Sequence, residues 1–130
     1  MFKTVLFPID SSRETREAAD VVINIVNTYS SSLTLLSVVE ENQKSNMSSE
    51  TDVAKLLLGA KTLFEKQGIN VQTVEKFGIP SFTICDFADE INADLIVMGC
   101  RGLGLTPEKT SESVAHRTIE LAPCPILIVP

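Results

Sequence analysis

Five short apolar runs alternate with four stretches of helical periodicity, and this alternation limits the chain more than any single residue does. Residues 3–9 (KTVLFPI), 33–39 (LTLLSVV), 94–98 (DLIVM) and 126–129 (ILIV) are rich in Val, Ile and Leu, whereas residues 70–75 (NVQTVE) alternate polar with apolar. Unbroken β-rich runs fit strands buried on both faces of a parallel sheet, and an alternating run fits an edge strand. Between the runs lie the helical stripes. Ser11-x-x-Glu14 has the form of a capping box, and Ala18, Ala19, Val22, Ile23, Val26 and Tyr29 follow it at helical spacing. A second stripe is Val53, Leu56, Leu57, Ala60, Leu63 and Phe64, with Gly68 where a helix-ending glycine belongs. Pro80 suits the first turn of a third helix that carries Ile84, Phe87, Ala88 and Ile91. A fourth runs over 113–121 and is stopped by Pro123.

The order β-α-β-α-β-α-β-α-β predicts an α/β fold with right-handed crossovers, a parallel sheet and helices on both faces. Such a sheet reverses its strand order once, and the crevice outside the carboxyl ends of the strands at that point is where a ligand is expected. Residues 40–52 (EENQKSNMSSETD) are polar and carry no stripe, so they are expected to form a mobile loop at the same end of the sheet. Pro8 conflicts with a central strand, because proline donates no ladder hydrogen bond; the conflict disappears if the ladder ends there.

At 130 residues the chain is one domain, residues 1–130. Its 44% hydrophobic and 22% charged residues exclude a disordered tail or a fibre. No apolar run approaches the ~20 residues that span a bilayer, and no small-residue cleavage site follows the N-terminus, so neither a membrane span nor a signal peptide is expected. A net charge of -6 and a pI of about 4.7 argue against nucleic acid or an anionic membrane as partner. The three cysteines, Cys85, Cys100 and Cys124, include no Cys-x-x-Cys pair, which predicts reduced thiols in a cytoplasm and no zinc site. His116 is the single histidine, so His-based catalysis has one candidate.

Three places at predicted strand ends or helix starts gather residues that could do chemistry: 8–12 (PIDSS), 98–104 (MGCRGLG) and 110–114 (TSESV). Glycines after a strand let the backbone approach a ligand, and a helix start offers free N–H groups to an anion. Gly99, Gly102 and Gly104 form G-x-x-G-x-G, which is neither the dinucleotide fingerprint nor a P-loop with its lysine.

Two stretches, residues 94–129 (DLIVMGCRGLGLTPEKTSESVAHRTIELAPCPILIV) and 5–22 (VLFPIDSSRETREAADVV), resemble the universal stress protein family, and the resemblance covers essentially the whole chain. It implies the adenine nucleotide alpha hydrolase-like sandwich, a five-stranded parallel sheet of order 3-2-1-4-5, in a cytoplasmic protein of stress adaptation that acts through a regulatory protein partner rather than as an enzyme. It implies ATP or another adenine nucleotide as ligand, with Mg arriving on the nucleotide. It also implies a homodimer paired through the last strand, Ile126, Leu127, Ile128 and Val129. By the same resemblance Pro8 and Ile9 flank the adenine, Asp10 bonds the ribose and Val38 gives a backbone contact to the base. Met98, Gly99, Arg101, Gly102, Ser113 and Val114 wall the phosphate side.

The chain departs from the family's G-x-x-G, nine residues, G-[ST] pattern at one position. Gly99 and Gly102 match, but Glu112 precedes Ser113 where the second half asks for glycine. A carboxylate about 4–5 Å from a phosphate repels it by ~3–4 kcal/mol at an effective dielectric of ~20, enough to weaken binding roughly a hundredfold. Rotation of Glu112 into solvent, neutralisation by Arg101, a bridging divalent cation or a ligand with fewer phosphates would each relieve this. Three readings therefore stand: a nucleotide-responsive regulator, a dimeric interaction module that does not use the crevice, and an ATPase or phosphotransferase, against which the chain offers no P-loop lysine and no general base beyond Asp10.

Other residues have plainer explanations. Asp10 has no acidic neighbours of the kind a phosphoacceptor needs, and capping of the first helix competes with ribose binding. Ser11 and Ser12 suit helix caps, and Arg13, Arg16 and Glu17 a solvated helix face. His116 suits the surface, Cys100 an inert thiol, Cys124 packing and Met98 the strand core.

Overall fold

The computed structural model describes residues 1–9, 13–39, 47–99 and 112–130, with the backbone course alone for 13–16, 47–52 and 112–113. Its elements are β1 (Thr4–Pro8), α1 (Arg13–Tyr29), β2 (Ser32–Val39), α2 (Met47–Lys66), β3 (Val71–Phe77), α3 (Pro80–Glu90), β4 (Leu95–Gly99), a π-helical turn (Glu112–His116) running into α4 (Arg117–Leu121), and β5 (Ile126–Val129). All pairings are parallel, in the order β3-β2-β1-β4-β5. This is the architecture that the alternation of periods requires, with the alternating run at one edge.

Side-chain alternation along the strands divides the core in two. Val5 and Phe7 of β1, Leu33 and Leu35 of β2, and Leu95 and Val97 of β4 pack with α1 and α2, through Ala18, Val22, Val26, Leu57 and Phe64. Leu6, Leu36 and Ile96, one residue along on the same strands, pack with Ile84, Phe87 and Ala88 of α3 and with Val114. A period-2 strand with both faces covered must be apolar throughout, which is why these runs are unbroken. Phe7 and Phe64 meet edge to face, with ring centroids 6.2 Å apart.

The three long helices end alike, whereas α4 passes into an extended Ala122. In α2 the N–H of Ile69 donates to the carbonyl of Phe64 (3.0 Å) and that of Gly68 to Glu65 (2.9 Å), with Gly68 at φ 77°. In α3 the N–H of Ala93 donates to Ala88 (2.9 Å) and that of Asn92 to Asp89 (3.2 Å), with Asn92 at φ 54°. In α1 the N–H of Ser31 donates to Val26 (3.1 Å), with Ser30 at φ 53°. A left-handed residue after the last turn lets the chain fold back on the helix's orphan carbonyls. Each closure then feeds the next strand within two or three residues. Glycine was the signal at position 68; serine and asparagine do the same work without it at 30 and 92.

Several boundaries correct the sequence expectations. Residues 47–52, expected in a loop over 40–52, already belong to α2, whose first turns are polar and show no stripe. Asp94 stands just before β4 rather than in it, and β3 runs on to Phe77. Tyr29 and Leu63, placed in apolar stripes, are exposed. Tyr29 instead packs edge to face on Phe2 at 5.2 Å. The capping box at Ser11 lies outside the described residues.

Candidate functional site

In β1 the main-chain groups of successive residues address the two neighbouring strands in turn. Ile9 donates to the carbonyl of Leu36 on β2 (2.8 Å), Lys3 accepts from Ser32 (2.7 Å), and Thr4 accepts from Asp94 (2.7 Å). Odd positions along β1 therefore serve β2 and even positions serve β4, apart from the N–H of Lys3 just before the strand, which donates to the Asp94 carboxylate. The pairing with β2 runs the length of the strand, from Thr4 opposite Ser32 to Pro8 opposite Leu36. The pairing with β4 covers only Val5 opposite Leu95 and Leu6 opposite Ile96. The next donor toward β4 would be the N–H of residue 8, and proline has none. The expectation that the ladder ends at Pro8 is thus met on one side of the strand only. That side is the switch point, where β1 sends its crossover one way and β4 lies the other.

Three of the expected wall residues share a face of the sheet at this point. Pro8 follows Leu6 by two, Val38 follows Leu36 by two and Met98 follows Ile96 by two, so all three stand on the α3–α4 side of the sheet. Val38 and Val114 are half-buried against the same cluster, Pro8 and Gly99 are also half-buried, and Met98 is buried as strand core. Ile9 differs. It is buried with Val5, Phe7 and Ala18 on the opposite face, so its side chain belongs to the α1–α2 core. Asp10, Arg101 and Gly102 lie outside the described residues. Glu112 and Ser113 begin the π-helical turn, and Val114 is its third residue. The Thr118 hydroxyl donates to the Val114 carbonyl at 2.6 Å, satisfying an acceptor where the wide turn passes into α4. Pro8, Val38 and Val114 offer the apolar surface that a purine ring stacks against, and Gly99 offers backbone without a side chain, so the residues present fit the nucleoside part of an adenine nucleotide.

His116 is exposed, as expected of a surface histidine. The Cys124 thiol sits half-buried against the α3 cluster, in keeping with a packing role, and burial with the nearby Asp94 carboxylate pushes its pKa up. Cys85 is buried, its thiol donating to the Thr118 carbonyl at 3.7 Å, and burial, Asp86 and Cys124 push its pKa up as well. Neither thiol is held in its reactive thiolate form. Cys100 lies outside the described residues. Among the described residues no group of His, Cys, Asp and Glu could hold a metal ion, and no helix is long and apolar enough to cross a membrane.

Sequence reasoning passed over Asp94. Its carboxylate Oδ2 accepts from the backbone N–H of Lys3 (3.0 Å) and of Thr4 (2.9 Å), and its own N–H donates to Thr4. It clamps the amino ends of β1 and β4, the same pair of strands that Pro8 leaves unpaired at the other end. An aspartate opening an otherwise apolar run was the available signal.

Three comparisons bear on this geometry. The whole chain, residues 1–130, matches the model of the universal stress protein family. A universal stress protein of Synechocystis sp. is 57% identical, the alignment covering 100% of this chain and 87% of that one. Among solved structures, the universal stress protein of Archaeoglobus fulgidus in complex with dAMP superposes with a TM-score of 0.83 over 100% of both chains at 19% identity. A universal stress protein in complex with cAMP gives 0.78 over 98% of this chain and 97% of that one at 18% identity. At such identities the structural likeness is one of fold.

Proposed function

This chain belongs to the universal stress protein family, and from that premise we propose that it is a cytoplasmic regulatory protein that binds an adenine nucleotide and turns over no substrate. The base lies at the carboxyl ends of β1, β2 and β4, beside Pro8, Val38 and Gly99. The ribose is held by Asp10. The phosphates face Arg101, Gly102 and the turn that begins at Glu112 and Ser113. The observation that carries this reading is the pairing of β1 with β4, which stops after two residue pairs at the switch point and leaves apolar side chains of three elements on one face. Two proteins of the same fold, described in complex with dAMP and with cAMP, support an adenine monophosphate as ligand.

Glu112 sets the preference within the class. Its charge opposes each added phosphate, so AMP binds more tightly than ATP, and Mg on the triphosphate recovers part of the difference. The protein works as a homodimer paired through β5, an edge strand whose Leu127 is exposed although the whole run Ile126–Val129 is apolar. An unpaired edge of this composition invites association. Ile119 and Leu121 of α4 add exposed apolar surface.

Thermal unfolding with AMP, ADP and ATP, each with and without Mg, tests the reading. A ligand at one hundred times its Kd adds about 2.7 kcal/mol. For 130 residues that raises Tm by about 10 °C, at an unfolding entropy of about 2.1 cal/mol/K per residue. AMP is expected to reach this shift at the lowest concentration. A melting temperature unmoved by all three nucleotides overturns nucleotide binding and leaves the dimeric interaction module, which the glutamate at position 112 favours.

A further inference from the structure

We propose that Pro8 is a positioning residue that keeps the purine crevice open by withholding one backbone hydrogen bond from the centre of the sheet. β1 is the middle strand of five, where proline is ordinarily excluded because both neighbours call on its main chain. The structure resolves the conflict asymmetrically. Position 8 is even and so addresses β4, while the β2 side of the strand loses nothing: Pro8 still stands opposite Leu36, and Ile9 donates to the Leu36 carbonyl at 2.8 Å. Extending the register from Leu6 opposite Ile96 sets Pro8 opposite Met98, and an N–H at position 8 would donate to the Val97 carbonyl. With proline there, the last ladder contact between the two strands is at Leu6 and Ile96. Meanwhile β4 continues in register with β5 as far as Gly99 opposite Val129, so β4 keeps its strand form beyond the point where β1 leaves it. The opening is therefore specific to one seam and is set by one missing donor.

A second consequence concerns the Val97 carbonyl. It faces the seam without the ladder donor that a non-proline residue would supply, next to Met98 and Gly99 at the end of β4. A purine carries ring-edge amino and C–H donors, so an acceptor at this point suits that edge. Restoring an N–H at position 8 removes both features at once: it closes the seam by one pair and it occupies the carbonyl.

This proposal rests on the reading that the crevice receives an adenine nucleoside, and its test separates the two. Pro8→Ala restores the donor. The gained hydrogen bond and the added freedom of the unfolded chain oppose each other, so the variant folds with a Tm close to that of the parent. The first measurement needs no ligand: amide hydrogen exchange, followed by NMR, of the new N–H at position 8. The expected result is slow exchange, comparable to the amides of β1 that pair with β2. Exchange as fast as an exposed amide overturns the proposal. The second measurement is the affinity for adenosine, which lacks phosphate and so is blind to Glu112. The expected result is a loss of about fivefold, the equivalent of about 1 kcal/mol. A protected amide with unchanged adenosine affinity overturns the positioning role. Failure of the parent protein to bind any adenine nucleoside or nucleotide overturns the functional reading and the positioning role with it.

Discussion

Asp94 joins two strands through one carboxylate oxygen, and its removal has a calculable cost. Asp94→Ala deletes two charge-assisted hydrogen bonds, one to the part-buried N–H of Thr4 at 2.9 Å and one to the exposed N–H of Lys3 at 3.0 Å. A bond to a charged group contributes roughly 1.5–3 kcal/mol when shielded, and much less where water replaces the lost partner. Assigning about 1.5 kcal/mol to the Thr4 bond and about 0.5 kcal/mol to the Lys3 bond gives a loss of about 2 kcal/mol. For a chain of 130 residues that is a fall in Tm of about 7 °C. Asp94→Asn keeps an acceptor oxygen of the same shape without the charge and should lose about half as much. The assay is thermal unfolding followed by circular dichroism, with all variants at one protein concentration because any dimer couples stability to concentration. Amide exchange at residues 3 and 4 should quicken in the alanine variant. A Tm within 2 °C of the parent, or alanine and asparagine variants that melt together, would show that the clamp contributes little and that β1 and β4 are held by packing alone.

Gly68→Ala meets open space, but its φ of 77° is left-handed, so the variant should lose about 1 kcal/mol and about 4 °C in Tm. Gly78→Ala should lose clearly more, since φ is 147° and the new Cβ would stand 2.7 Å from the Thr83 hydroxyl. Equal losses in the two would refute the steric account. Both described thiols are held above the ordinary thiol range by burial, so the folded state keeps its protons where the unfolded chain sheds them. Their contribution is intact below about pH 8.5 and is lost as pH rises, which should appear as an alkaline fall in Tm that is smaller in Cys85→Ala. Leu127→Lys, on the exposed edge of β5, should shift the protein from dimer to monomer in light scattering with Tm otherwise set by the monomer; an unchanged mass would place the dimer contact elsewhere.

Much of the architecture follows from patterns that one strand or helix carries by itself. The strands buried on both faces show as unbroken runs, the edge strand β3 as an alternating one, and the first turn of α3 is marked by Pro80. What depended on partners far along the chain was harder to see. The first turns of α2 are polar in sequence, and a stretch without apolar residues at helical spacing leaves no period to detect. Ser30 and Asn92 close their helices with conformations that a sequence ordinarily advertises with glycine. At the site, the resemblance named Ile9 as a neighbour of the base, but which side of the sheet a residue takes is fixed by strand register, and register puts Ile9 in the α1–α2 core. The same register gave Pro8 its significance, because whether a missing N–H matters depends on which neighbour it would have addressed.

The three backbone closures after α1, α2 and α3 also divide the molecule into a conservative and a permissive end. At the amino ends of β2, β3 and β4 the main chain bonds back to the carbonyl five residues earlier, and no residue can be added between Phe64 and Ile69, or between Ala88 and Ala93, without breaking that bond. Length variation among descendants of such a chain is therefore channelled to the opposite pole, where sequence can drift and lengthen while the base plate beneath it stays the same.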